Sequence, residues 1–195
     1  MTQHAPVLIV LLPLTASLLC MLFSRISKNL GSWIVMASIA GAFANACIVL
    51  NKVISSGGKT WHYWMGGWAP PVGIEFALDS LNSILAVVVT FISMMVALYS
   101  RPFVKDEDWL HVGGYYTLFG LLTVGLSGMI ITGDVFNLYV YLEIMSLSGY
   151  GLIALGGRKS MLAAFRYLLI GTIGASLYLL GVGYLYSMTG TLNMA

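Results

Sequence analysis

Six stretches of mostly apolar residues, separated by short clusters that hold most of the charge, set what this chain can become. An α-helix rises 1.5 Å per residue, so roughly 20 apolar residues are needed to cross about 30 Å of hydrocarbon. The stretches cover residues 6–23, 31–50, 78–99, 112–132, 135–155 and 161–188. The last is long enough to tilt or to continue past the interface. The pattern predicts an all-α, polytopic transmembrane bundle of about six helices and no soluble domain.

Composition supports this and removes other classes. Apolar residues make up 59% of the chain and charged residues 8%, with a mean hydropathy of +0.91, far outside the range of soluble domains. The net charge of +2 comes from loop lysines and arginines rather than a basic face, so it reads as a topology signal and argues against a nucleic-acid partner. Cys20 and Cys47 both fall in apolar runs, where thiols act as small packing residues. Residues 1–6 lack a basic region and the following run is long enough to span, so residues 6–23 are expected to be the first helix rather than a leader.

Orientation follows from the basic residues, since successive loops alternate sides. The first, third and fifth loops carry Arg25 and Lys28, Arg101 and Lys105, and Arg158 and Lys159, while the longer second loop carries Lys52 and Lys59. Six against two places the odd-numbered loops in the cytoplasm and both termini outside. The second loop, residues 51–77, combines Trp61, Trp64 and Trp68 with glycines and with Pro70 and Pro71, as an interfacial hairpin would, its tryptophans anchoring at the membrane surface.

Within a bilayer the informative residue is an ionisable one far from a helix end. Glu143 lies nine residues past Asp134, about 13 Å along a helix, and thirteen before Gly156, which sets its carboxyl near mid-membrane. Helical spacing puts Tyr139, Glu143, Ser146 and Tyr150 on one face. A carboxyl among hydroxyls can accept and pass protons. The competing reading makes Glu143 an interhelical hydrogen-bond or ion-pair partner, with the tyrosines as packing.

Arg166 stands about 9 Å inside the sixth run, within reach of snorkelling to the interface; turned inward, it would approach Glu143 from below. Asp79 and Asp134 precede helices and are expected to cap them. Gly171, Gly174, Gly181 and Gly183 give the sixth run a small-residue face suited to close packing. His4, His62 and His111 form no ligand set, and Asp106, Glu107 and Asp108 read as a solvated loop. No nucleophile with a base, metal cluster or nucleotide fingerprint is visible, so no cofactor is expected, and catalytic chemistry would need groups on other subunits.

The string TGDVFNLYVYLEIMSLSGYGLIALGG from Thr132, followed by AAFRYLLIGTIGASLYLLGVGYLYSMTGTLNMA, closely resembles the antiporter-like subunits of Mrp-type multisubunit Na+/H+ antiporters, especially the D-type one, and of complex I and membrane-bound hydrogenases. GGWAPPVGIEFALDSLNSIL resembles the segment leading into the third helix of the same family. The resemblance implies the N-terminal part of a fold of about fourteen helices: introductory helices over about 6–99, then the first part of a repeat over about 112–188, in one transmembrane domain. It implies that Glu143 is a proton-path residue. It aligns Arg166, before Tyr167, with a position that is usually lysine, and arginine hardly ever gives up its proton.

The family's partner lysines lie on later helices, so the resemblance implies further membrane subunits or helices, in the plasma membrane of a prokaryote, with protons and Na+ as candidate ions. Two functions are expected to compete. One is a membrane subunit of a cation/proton-translocating complex that contributes Glu143. The other is a structural or docking subunit that seals a larger complex without its own path.

Overall fold

The computed structural model describes residues 2–71, 73–104 and 106–194. Lys105, counted above in the third loop, and the terminal Ala195 lie outside the described residues. A short 3-10 turn (Thr2–His4) leads into α1 (Ala5–Ile26), which is followed by α2 (Lys28–Ser55). Strands β1 (Trp61–Trp64) and β2 (Glu75–Leu78) come next, then α3 (Ser80–Val104), α4 (Trp109–Ile131), α5 (Val135–Ala154) and α6 (Arg158–Thr189).

Five of these helices, α1, α2, α3, α4 and α6, are long and apolar enough to cross a membrane. The exception is α5. Its 20 residues reach about 30 Å, but Asn137, Glu143, Ser146, Ser148 and three tyrosines lower its apolar character. It packs between α4 and α6.

Apolar burial cannot hold these helices together in lipid, whose tails are as apolar as leucine; close backbone approach does. The α4 helix makes that approach on two sides. A Cβ built on Gly113 would stand 2.9 Å from the Ser24 Cβ of α1, and one on Gly125 would stand 2.7 Å from the backbone nitrogen of Met145 on α5. Half of the α4 span is accordingly buried, against 11% of α6, which lies at the edge. One core cluster joins Ile9, Val49, Val53, Phe76, Leu78, Val124 and Tyr141; a second joins Cys20, Val35, Ile39, Ala97 and Tyr116.

The second loop does form a hairpin, with Trp61 opposite Leu78 and Trp64 opposite Glu75. It departs from the sequence reading in two places. Leu78 belongs to β2 rather than to the third helix, because its alternation with Phe76 turns both side chains into the core. Trp61 is an inward residue rather than a surface anchor: it packs on the core and carries the Lys52 ammonium 3.3 Å over its ring. Trp64 and Trp68 are the exposed pair.

The hairpin also recruits other segments. Thr132 bridges to Phe76, the Gly133 N–H donates to the Glu75 carbonyl at 2.8 Å, and Asp134 bridges to Asn193. Gly190 makes this possible. Its φ of 69° ends α6 in a left-handed cap and turns the chain back so that Met194 N–H can donate to the Gly133 carbonyl at 2.9 Å. Hairpin, α4–α5 turn and tail thus form a ladder over one end of the bundle, where His4 also bonds the Tyr63 hydroxyl. Arg25, Arg101, Arg158 and Lys159 gather at the opposite helix ends.

Candidate functional site

The geometry around Glu143 is set from the start of α5. Asp134 holds an extended backbone, and its Oδ1 accepts from the Asn137 N–H at 2.6 Å, which satisfies a free amide at the helix start. Asn137 Nδ2 in turn donates to Thr132 Oγ1 at 3.0 Å. Asp79 acts in the same way on α3, accepting from the Asn82 N–H at 2.7 Å.

From that cap α5 runs on to Glu143, its ninth residue, half-buried and about 13 Å beyond Asp134. The Tyr139 hydroxyl, one turn earlier, lies within reach of the Glu143 carboxyl. The Tyr139 ring stacks on Tyr178 of α6 at 6.2 Å and 7°, and the Tyr178 hydroxyl donates to the Val135 carbonyl at 3.2 Å. At the other end of the stripe, buried Tyr150 meets Tyr167 edge-on at 4.8 Å, and its hydroxyl rests against Gly171. Any side chain at 171 would occupy the space of that hydroxyl, which accounts for glycine there.

Both ends of the stripe therefore lie on α6. Since α5 and α6 are antiparallel, Glu143 and Ser146 fall between these contacts, and Glu143 stands at about the height of Gly174. A Cβ on Gly174 would meet nothing within 4 Å.

The structure does not bring Arg166 to Glu143. Ala164 is buried and marks the α6 face that packs on its neighbour, and Arg166, two residues on, is turned about 200° away and exposed. It also lies near the height of Gly151, roughly 12 Å along the axis from Glu143.

Glu75 is an ionisable residue that the sequence reading passed over. It is 4% exposed, bonded through Oε1 to His62 Nδ1 and through Oε2 to Asn193 Nδ2 at 3.0 Å. Its place at the head of the short alternating strand EFAL is the only local signal, because Asn193 is 118 residues away. His62, read above as a loop histidine, gains a role from the same pairing. Among the described residues no group of three or more His, Cys, Asp and Glu could hold a metal ion.

What a carboxyl at mid-helix can do chemically is carry a proton, and the company this chain keeps bears on that. Residues 64–111 match the family described as NADH-Ubiquinone oxidoreductase (complex I), chain 5 N-terminus, and residues 132–195 the family described as NADH:quinone oxidoreductase/Mrp antiporter, TM. The chain is 46% identical over 195 residues to the N-type subunit of the NADH-quinone oxidoreductase of Desulforudis audaxviator, covering 100% of this chain and 39% of that protein. It is 34% identical over 190 residues to the D-type subunit of the Na(+)/H(+) antiporter of Bacillus subtilis, covering 97% of this chain and 38% of that protein.

Among solved structures, a chain of the membrane-bound sulfane sulfur reductase, an archaeal respiratory membrane complex, superposes with a TM-score of 0.90 at 33% identity, over 98% of this chain and 39% of the other. The chain thus spans about two fifths of the length of these relatives. It is a multi-pass membrane protein, and it belongs to the family of antiporter-like membrane subunits shared by Mrp-type antiporters and NADH:quinone oxidoreductases.

Proposed function

We propose that this chain is a membrane subunit of a multisubunit cation/proton-translocating complex, in which Glu143 carries the proton at mid-membrane. The observation that supports this most is the placing of Glu143 about halfway along α5, between two tyrosine contacts that hold its stripe against α6. A carboxyl in that position is costly in lipid, which makes a functional role its default reading. Tyr139 and Ser146 flank it as hydroxyls able to relay a proton, while Tyr150 fixes the helix spacing below. Arg166 faces the side where further helices would pack, and there its fixed charge would set the local field rather than titrate.

The partners of this reading are other membrane subunits or helices. Only 11% of the α6 span is buried within the chain, and these helices would cover its free face and supply the lysines that complete a path. Protons, with Na+ as the coupled cation in an antiporter, would be the transported ions. The odd-numbered loops with Arg25, Arg101 and Arg158 would face the cytoplasm, and the hairpin the outside of the plasma membrane.

The test is Glu143→Gln in the assembled complex, with ion-coupled proton movement followed in membrane vesicles. About a hundredfold loss of transport is expected with the complex still assembled; transport at the parental rate would refute the reading. The broad free face of α6 favours a second reading, a docking subunit without its own path. On that reading Glu143→Gln is silent, while bulky replacements at Gly181 or Gly183 prevent assembly.

A further inference from the structure

The hairpin end of the bundle holds ionisable groups that the path through Glu143 has not used. Glu75 is nearly inaccessible although it stands outside the helices, and a carboxylate so placed needs partners. His62 and Glu75 share one face of the ribbon, two residues apart in register, and are bonded to each other. Their exposures differ sharply: the His62 side chain is 46% accessible and that of Glu75 is 5%. A clasp needs neither of its members in water. A site that exchanges protons with solvent needs one member in water and one facing the protein, and an imidazole is the side chain suited to the outer place.

Contacts continue inward from Glu75. Asn193 bonds its carboxylate and pairs through the backbone with Asp134. The Tyr178 hydroxyl bonds the carbonyl of Val135, the residue after Asp134, its ring stacks on Tyr139, and Tyr139 adjoins Glu143. The charged or titratable groups near this end include Lys52 on Trp61, Lys59 in the turn before β1, His4 on the Tyr63 hydroxyl and Asp79 at the end of β2.

We propose that His62 and Glu75 form the proton-exchange site that connects Glu143 to the hairpin side of the membrane, with Asp134, Tyr178 and Tyr139 between them. A proton leaves solvent water for the His62 ring nitrogen and passes to the Glu75 carboxylate. Glu75 hands that proton on to the Asp134 carboxylate and is left ready for the next; the Tyr178 and Tyr139 hydroxyls then each accept one proton on a lone pair and release the one they held. Glu143 ends with one proton more, and only N–H and O–H bonds form or break. The route rests on the reading of Glu143 as a proton carrier.

The experiment uses the whole complex in right-side-out and everted membrane vesicles, so that pH is varied on one side at a time. His62→Gln, Glu75→Gln and Tyr178→Phe are compared with the parent and with Glu143→Gln. The first two are expected to need about tenfold more protons on the hairpin side for half-maximal transport, with the dependence on opposite-side pH unchanged. Tyr178→Phe is expected to slow transport about tenfold.

If Glu143→Gln abolishes transport while the His62 and Glu75 variants follow the parental profile, or shift equally with pH on either side, the pair is only a clasp and the proposal falls. If Glu143→Gln transports normally, the proton-carrier reading and the route fall together. Should Glu75→Gln fail to assemble, His62→Gln, at the accessible position, decides alone.

Discussion

Replacing Gly125 by alanine tests whether α4 holds α5 in place by backbone contact. The new methyl would lie 2.7 Å from Met145 N and 2.8 Å from Met145 Cα. Carbon contacts settle near 3.5–4.0 Å, so α5 would have to move by roughly 1 Å, and a helix backbone cannot swing aside as a side chain can. Overpacking of this kind costs about 1–3 kcal/mol. Taking about 2 kcal/mol, the folded-to-unfolded ratio falls roughly thirtyfold. On the same helix Gly114 provides the control, since a Cβ there meets nothing within 4 Å, and Gly114→Ala should stay within about 0.5 kcal/mol of the parent. Unfolding in mixed micelles with rising dodecyl sulfate, followed by tryptophan fluorescence, compares the two. Equal midpoints for Gly125→Ala and Gly114→Ala would refute the argument from close backbone approach.

Other outcomes follow from the same contacts. Asp134→Ala removes the acceptor for the Asn137 N–H and should lower stability by about 1 kcal/mol in the same titration, with Asp134→Asn recovering most of it. Tyr150→Ala empties a buried ring site against Tyr167 and Gly171 and should cost about 3–5 kcal/mol, whereas Tyr150→Phe keeps the ring and should cost far less. Single cysteines at Lys59 and at Arg158, in a variant lacking Cys20 and Cys47, should react with a membrane-impermeant maleimide from opposite sides of intact cells. Lys59→Cys is labelled directly and Arg158→Cys only after permeabilisation; the reverse pattern would invert the assigned orientation.

Much of the architecture was legible because lipid leaves few options for a long apolar run, and each predicted span lies within or closely overlaps a helix. The stripe Tyr139, Glu143, Ser146, Tyr150 was legible from spacing alone, since positions three and four apart must share a face, and Tyr139 and Tyr150 show that this face meets α6. What was not legible depends on distant segments. Leu78 looked like the start of a helix because EFAL runs straight into Asp79 and the apolar stretch beyond; only pairing with Trp61 makes it a strand residue. Glu75 gave little warning, because its partners lie 13 and 118 residues away and meet it through a ladder of three separate segments. Arg166 could be placed in depth from the sequence but not in azimuth, and the burial of Ala164 is what turns it away from Glu143.

The central claim is that the Glu143 carboxyl gains and loses a proton during turnover. Infrared difference spectroscopy of the assembled complex, comparing resting and energised membranes, reads that event directly through the C=O stretch of a protonated carboxylic acid. The account predicts a carboxylic acid band that changes with turnover in the parent and is missing in Glu143→Gln. An identical band in both proteins would contradict it and would leave Glu143 a packing residue.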